Sequence, residues 1–292
     1  MRNKPIKIIF ILLNLTIGIF FTNFCYANQH LPANNAIPGG IAVLPLDLKT
    51  IQAPVVYFNG KQVLVVKYHS PIEQQLNWMA VVGIPITTKP GIQKISIHAN
   101  PTTYNTFKIN LEKTFLVSKK LYPQEVLKID PNLVYPSSST DQLRIKKETE
   151  SIKQAYRYWS QLVPNLKLHQ PVLGRKSSVF GLNRILNGKK KGYHSGLDLA
   201  APIGTPIYAA AAGQVILTGN FFYTGNTIFI DHGQSLITSY FHLNTIDVAE
   251  GDTIAANSAI GTVGATGRVT GPHLHWSVSL NDARINPELF LY

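Results

Sequence analysis

Two short stretches hold residue types that could do chemistry, His194-Ser195-Gly196-Leu197-Asp198 and His273-Leu274-His275. Imidazole and carboxylate are the ligands of hydrolytic zinc sites, which use three protein ligands and keep a fourth position for water. His194, Asp198 and one histidine of the second stretch supply such a set. Water held there has its pKa lowered from about 15.7 toward about 7, so it can attack a carbonyl without a protein nucleophile. Neither stretch has a glutamate beside it to act as base. The candidates for moving the proton are therefore His242, in Tyr240-Phe241-His242-Leu243, and the unligated member of the histidine pair. Serine chemistry of the penicillin-binding kind has no support, because no Ser-x-x-Lys occurs. The one cysteine, Cys25, lies near the N-terminus, so the metal must be held by nitrogen and oxygen.

The local sequence dictates how these residues are carried. On a helix His194 and Asp198 would share a face, but Gly192, Gly196 and Leu199-Ala200-Ala201-Pro202 predict a loop entering a strand. His273-Leu274-His275 runs into Trp276-Ser277-Val278-Ser279, which predicts a strand whose period of two turns both imidazoles to one face and Leu274 to the other. On the same reasoning Tyr240 shares the face of His242 and reaches toward a substrate. Asp231-His232-Gly233 reads as a turn between strands. Gly264, Gly267 and Gly271 lack the lysine of a phosphate loop and are expected to shape a tight approach to the His273 strand.

Upstream of residue 172 the chain carries no chemical constellation. Val55–Phe58, Asn59-Gly60 and Lys61–Val66 predict a hairpin, since both turn residues tolerate positive φ. Strands are also expected at Gly40–Leu48, Trp78–Ile84, Ile92–His98, Thr106–Leu111 and Thr114–Val117, punctuated by Pro85, Pro90-Gly91 and Pro101. Together they make a β-sandwich-like module over 37–123. Ile145, Thr149, Ile152, Tyr156 and Trp159 form one helical stripe, and Ser137–Thr140 offers a capping hydroxyl, which predicts a linking helix within 137–164. Its opposite face, with Lys146, Lys147, Glu148, Glu150, Lys153 and Arg157, reads as solvated.

Hydrophobic residues at 45% and charged ones at 14% exclude a disordered chain. The net charge of +12 would point to nucleic acid in a cytosolic protein. The N-terminus removes that partner: Arg2, Lys4 and Lys7 precede an apolar run, Ile8–Phe21, too short to span a bilayer, and Cys25-Tyr26-Ala27 offers a cleavage site. Residues 1–27 are thus expected to be a cleaved signal peptide, leaving no stable membrane span. A basic exported protein meets anionic polymers of the envelope.

The run from Phe180 to Tyr292 resembles the catalytic domain of the lysostaphin/LytM-type peptidoglycan metalloendopeptidases. The matching residues are HSGLD at His194–Asp198, GTPIYAAAAG at Gly204–Gly213, YFHL at Tyr240–Leu243 and GRVTGPHLHW at Gly267–Trp276. The part from Pro38-Gly39-Gly40 through Arg144-Ile145-Lys146-Lys147-Glu148 is similar to the β-rich N-terminal module of Gram-negative members. The resemblance implies that His194, Asp198 and His275 hold Zn2+. It also implies that His242 and His273 are catalytic, positioning and deprotonating the water or stabilising the oxyanion. One departure stands out: Phe180-Gly181-Leu182-Asn183 has asparagine where the family often has arginine, with Arg184 next, which puts a supporting or substrate contact in question.

The reading is a mainly β protein with an N-terminal β-sandwich-like module, a linking α-helix and a C-terminal antiparallel β-sheet domain, 172–292, with a zinc-containing groove. The resemblance implies a periplasmic endopeptidase that cuts stem peptides or cross-links of peptidoglycan, D-alanine to diaminopimelate in Gram-negative envelopes. The rival is a non-catalytic envelope regulator that binds the wall or activates an amidase. Regulatory partners are not legible. A further hypothesis is latency, with the N-terminal module covering the groove.

Overall fold

The computed structural model describes residues 30–48, 50, 52–69, 76–99, 109–129, 131, 136 and 138–291. The predicted signal peptide, 1–27, lies outside them. Six strands form the first half: β1 (Ile41–Pro45), β2 (Val55–Phe58), β3 (Lys61–His69), β4 (Leu76–Gly83), β5 (Gly91–Ala99) and β6 (Ile109–Val117), hydrogen-bonded in the order β1-β4-β3-β2-β5-β6. Asn59 and Gly60 turn the β2-β3 hairpin at φ 49° and 73°, the left-handed pair that follows the twist of the strands. The two strands expected between 106 and 117 are one over the described residues, because Glu112 and Lys113 pair with Ser96 and Ile95 instead of turning.

All six strands give one face to a single apolar cluster that includes Ala42, Phe58, Val65, Val82, Ile97 and Phe115. The outer strands also meet. Lys113 on β6 pairs with Asp47 just beyond β1 at 2.7 Å, and the Ser118 N–H donates to Ala36 O. In β3 the continuous run Val63–Val66 is buried on both sides, as an unalternating apolar run requires. Val63 and Val65 enter the module's own cluster, whereas Leu64 and Val66 enter a second cluster shared with the C-terminal half.

Thirteen further strands follow: β7 (Gln124–Leu127), β8 (Arg175–Ser178), β9 (Asn183–Leu186), β10 (Lys189–Tyr193), β11 (Leu197–Ala200), β12 (Pro206–Tyr208), β13 (Gly213–Phe221), β14 (Gly225–Asp231), β15 (Ile237–Ile246), β16 (Thr253–Ile254), β17 (Ala259–Val263), β18 (Leu274–Leu280) and β19 (Ala283–Ile285). The main antiparallel sheet runs β16-β13-β14-β15-β18-β11-β8, with β17 and β12 joined through β15 and β19 joined to β18. Separately, β7 pairs in parallel with β9, which pairs with β10. β18 shows the logic of the main sheet: Leu274, Trp276, Val278 and Leu280 enter the cluster shared with the N-terminal module. Its alternate residues, His275, Ser277 and Ser279, face the other way.

The helix α1 (Ser139–Tyr156) lands on that other face, where Tyr156 lies edge-on to Phe229 at 5.0 Å and its hydroxyl is 2.9 Å from Ser239 Oγ. Ser138 caps it by accepting from the Asp141 N–H. It stops at Tyr156, short of Trp159. Part of its polar face is docked, not solvated: Arg144 donates to Asn220 O, and Glu148 accepts from the Phe222 N–H at 2.7 Å. Among the described residues no helix is long and apolar enough to cross a membrane.

Two side-chain amides pin the halves together. Buried Asn281, in the turn between β18 and β19, accepts from the Gly83 N–H at 2.7 Å and donates to Gly83 O at 2.9 Å, and Gln234 accepts from the Val65 N–H. Replacing Asn281 by alanine strands both polar groups of Gly83. The expected cost is about 2 kcal/mol, read as a lower denaturant midpoint with an unchanged slope; an unaltered midpoint would show that this contact is not part of the interface energetics.

Candidate metal centre

Three adjacent strands build the site. Asp198 on β11 and Phe241 on β15 both stand opposite His275 on β18, so the three side chains lie in a row on the sheet face away from the shared core. His194 comes from the loop between β10 and β11, the loop that its glycines predict. Gly196 lets this loop pass β18 closely: a Cβ there would lie 2.4 Å from Trp276 O and 2.8 Å from His275 Nε2.

The convergence is tight. His194 Nε2 lies 3.0 Å from Asp198 Oδ1 and 3.0 Å from His275 Nδ1, and His275 Nδ1 lies 2.7 Å from Asp198 Oδ1. All three side chains are buried, His194 at 1% and the other two at 6% exposure. The outward ring nitrogens fix which atoms face inward: His194 Nδ1 meets Val179 O at 2.7 Å, and His275 Nε2 meets Ser277 Oγ at 2.9 Å. Burial pushes His275 down to about 4, against the opposing pull of Asp198. Burial alone would raise the Asp198 carboxyl, but hydrogen bonds and charge from His194 and His275 hold it well below the usual carboxylate range. Two inward imidazole nitrogens and a carboxylate oxygen, all on buried side chains, are a donor set that suits zinc.

Asp198 has a second oxygen, and it is also engaged. Arg184 Nη2 donates to Asp198 Oδ2 at 2.9 Å, while Arg184 Nε donates to Glu125 Oε2 at 2.8 Å. Ser178 Oγ donates to the other oxygen of Glu125 at 3.2 Å. Glu125 and Arg184 are register partners of the parallel pair β7-β9. Arg184, the residue after Asn183, thus brings a guanidinium to the second oxygen of Asp198. The sequence offered no sign of Glu125, which sits in a four-residue strand beyond Pro123 with only weak alternation.

His242 and His273 flank the cluster. Their rings are 5.0 Å apart, and His273 Nε2 lies 3.7 Å from Asp198 Oδ1. Each points Nδ1 at a backbone carbonyl, Thr266 O for His242 and Gly271 O for His273, both at 2.8 Å, which leaves Nε2 as the free atom. Burial, then the charges of His273 and His275, push His242 down to about 3, so it is neutral at ordinary pH. His242 also has φ 68°, a left-handed conformation uncommon outside glycine. This breaks the alternation of β15, so Phe241, stacked on His275 at 5.3 Å, and His242 line one cavity. Tyr240 consequently does not share the face of His242. It is fully buried, its hydroxyl accepting from the Ala210 N–H and the Thr238 hydroxyl, and it contacts no substrate space.

The cavity beside the cluster has a volume of about 200 Å³ and is lined by Leu127, Ile129, Leu186, Tyr193, Tyr223 and Arg268 as well as the site residues. Of these, Arg268 lies in a stretch singled out by sequence, but nothing in its spacing marked it as a groove residue. His232 is in the expected turn, with Nδ1 at Ala212 O and Nε2 at Thr238 Oγ1, away from the site.

The model for peptidase family M23 matches residues 192–287, and that for the family's N-terminal domain matches 34–112. A crystal structure of a Pseudomonas aeruginosa protein assigned to peptidase M23 is 43% identical, covers 88% of this chain and 95% of its own, and superposes with a TM-score of 0.71. The chain belongs to peptidase family M23. Among curated relatives, the peptidoglycan DD-endopeptidase ShyA of Vibrio cholerae is 43% identical over 34% of this chain and 23% of its own length. The DD-carboxypeptidase/endopeptidase Mpg of Neisseria meningitidis is 41% identical over 40% of this chain and 27% of its own. The match thus spans about a quarter of these two M23 relatives.

Arg184→Gln should weaken zinc retention about ten- to a hundredfold, because an outer partner that orients a ligand is lost; a chelator-competition titration measures it, and unchanged retention would leave Arg184 without that role. His232 gives a pH signature elsewhere. Burial pushes it from 6.5 to about 4, so between these values the unfolded chain binds a proton that the folded one does not. Its contribution is fully present above pH 6.5 and is lost as pH falls to about 4, by on the order of 3 kcal/mol. Denaturation of zinc-loaded His232→Asn should show a shallower acid slope than the wild type over that window.

Proposed function

We propose that the protein is an exported zinc endopeptidase whose catalytic part, 172–292, hydrolyses a peptide bond in the stem or cross-link of peptidoglycan. The observation that carries this reading is the convergence of His194 Nε2, Asp198 Oδ1 and His275 Nδ1 beside a groove lined by His242, with His273 next to both His242 and Asp198. Zinc bound there supplies a Lewis acid that polarises the attacking water and the scissile carbonyl. The chain's own residues do the rest. His242 accepts the proton of the attacking water at Nε2 and returns it to the leaving amine. His273, its ring oriented by Gly271 O, hydrogen-bonds through Nε2 to the water or to the developing oxyanion. Leu127, Ile129, Leu186 and Phe241 offer apolar walls of a size for the short aliphatic side chains of a stem peptide.

The names of the relatives support a DD bond of peptidoglycan, for which D-alanine to diaminopimelate is our reading, and the basic charge supports a carboxylate-rich polymer. The basic apolar N-terminus supports export to the periplasm.

The deciding experiment is a muropeptide profile of cross-linked sacculi incubated with zinc-loaded protein, with and without a chelator. Chelator-sensitive loss of dimers is expected, and an unchanged profile would sink the reading. His194→Ala and Asp198→Ala should lose both zinc and activity. His242→Ala and His273→Ala should keep the metal and lose most turnover, typically a hundred- to ten-thousandfold for a general base; metal analysis together with product release separates the two classes.

A further inference from the structure

Two guanidinium groups face the groove, and they are not equivalent. Arg184 is committed to Asp198 and Glu125. Arg268 lines the same cavity as His242 and His275, and among the described residues no carboxylate lies within ion-pair distance of it. Its position is built. The guanidinium lies over the Tyr223 ring at 4.4 Å, and its backbone N–H donates to Tyr223 O at 2.9 Å. Gly267 before it adopts φ 75° and packs so closely on Gly225 that a Cβ would lie 2.4 Å from the Gly225 nitrogen. The loop cannot shift freely, and the planar fork is held on an aromatic face. Burial lowers the Arg268 pKa against the opposing pull of Tyr223, and the charge of Arg184 adds to the lowering. A half-buried guanidinium held in place without an anion is complementary to a carboxylate, which it can bind through two parallel N–H donors.

We propose that Arg268 is a specificity residue that binds a free carboxylate on the carbon bearing the scissile nitrogen. This rests on the peptidase reading above and deepens it. The cavity is small, about 200 Å³, so a group held by Arg268 beside His242 belongs to the residue next to the bond being cut. A peptide bond whose nitrogen-bearing carbon carries a free carboxylate occurs at a chain terminus and in cross-links made through a diamino acid. It does not occur inside an ordinary polypeptide. Arg268 thereby selects the wall peptide over the proteins around it, and the selection costs the catalytic histidines nothing because it acts on a neighbouring group.

The test uses two synthetic stem-peptide dimers that differ only in having a carboxylate or a primary amide on that carbon, with the full-length zinc-loaded protein. The wild type is expected to prefer the carboxylate by about 10- to 100-fold in kcat/KM, the range of a hydrogen-bonded charge pair. Arg268→Gln should lose that preference by slowing only the carboxylate substrate, with zinc content unchanged, and Arg268→Lys should fall between, having charge but no fork. Equal rates of the wild type on both dimers, or an equal loss on both in Arg268→Gln, would overturn the assignment. Binding of the two uncleaved peptides to zinc-loaded His242→Ala separates the two readings. A carboxylate preference in binding that depends on Arg268 upholds the subsite even if neither dimer is cleaved, whereas cleavage of both with equal binding removes the subsite and leaves the peptidase.

Discussion

Asp198 is a carboxylate with almost no access to water, and the architecture around it answers the cost of that burial. An isolated charge in such a place would take up a proton or unfold the site. Asp198 instead has His194 Nε2 and His275 Nδ1 against Oδ1 and accepts from Arg184 on Oδ2, so neither oxygen is left to solvent. The same arrangement that keeps it ionised leaves two imidazole nitrogens and an oxygen aimed at one point. Electrostatic compensation and metal affinity are here one design, and a strand register that moved Asp198 by a single residue would turn it into the apolar cluster on the other side of the sheet.

The sheet can carry this charge on one face because its other face is sealed. Leu197, Leu199, Leu274 and Trp276 alternate with the site residues and join Ile41, Leu64, Val66 and Val81 of the N-terminal module in one cluster. The module thus completes the core of the sheet that carries the site, from behind. The groove opens on the opposite face, where the walls that reach it from upstream are Leu127 and Ile129, not the six-stranded sheet itself.

Much of this was legible in sequence wherever a period was strong. The pair His273 and His275, with Leu274 between them, follows from strand alternation, and the hairpin at Asn59-Gly60 follows from turn chemistry. Tyr240 departs from the expected face for a physical reason: the left-handed backbone of His242 interrupts the alternation, and no residue type there announces the break. β6 is continuous through Glu112 and Lys113 because the pair alternates like any strand residues: Lys113 lies on the face of Phe115 and Val117 and reaches Asp47, and Glu112 lies on the opposite face, where it meets Lys94. β7 left no signal because four residues with one exposed valine have neither period nor turn punctuation, and a parallel partner is some sixty residues away in the chain. Arg184 had no motif to mark it: its contact with Asp198 follows from the pairing of β9 with β7, which the sequence does not announce.

The ion pair between Glu125 and Arg184 joins two distances of the chain. Glu125 lies between the N-terminal module and α1, whereas Arg184 holds the oxygen of a ligand. The polypeptide that tethers the module is therefore also a rib of the groove and a brace on the metal-facing carboxylate. A displacement of β7 would therefore reach Asp198 through Arg184, so the geometry of the carboxylate is set in part by chain far upstream of the strand that bears it.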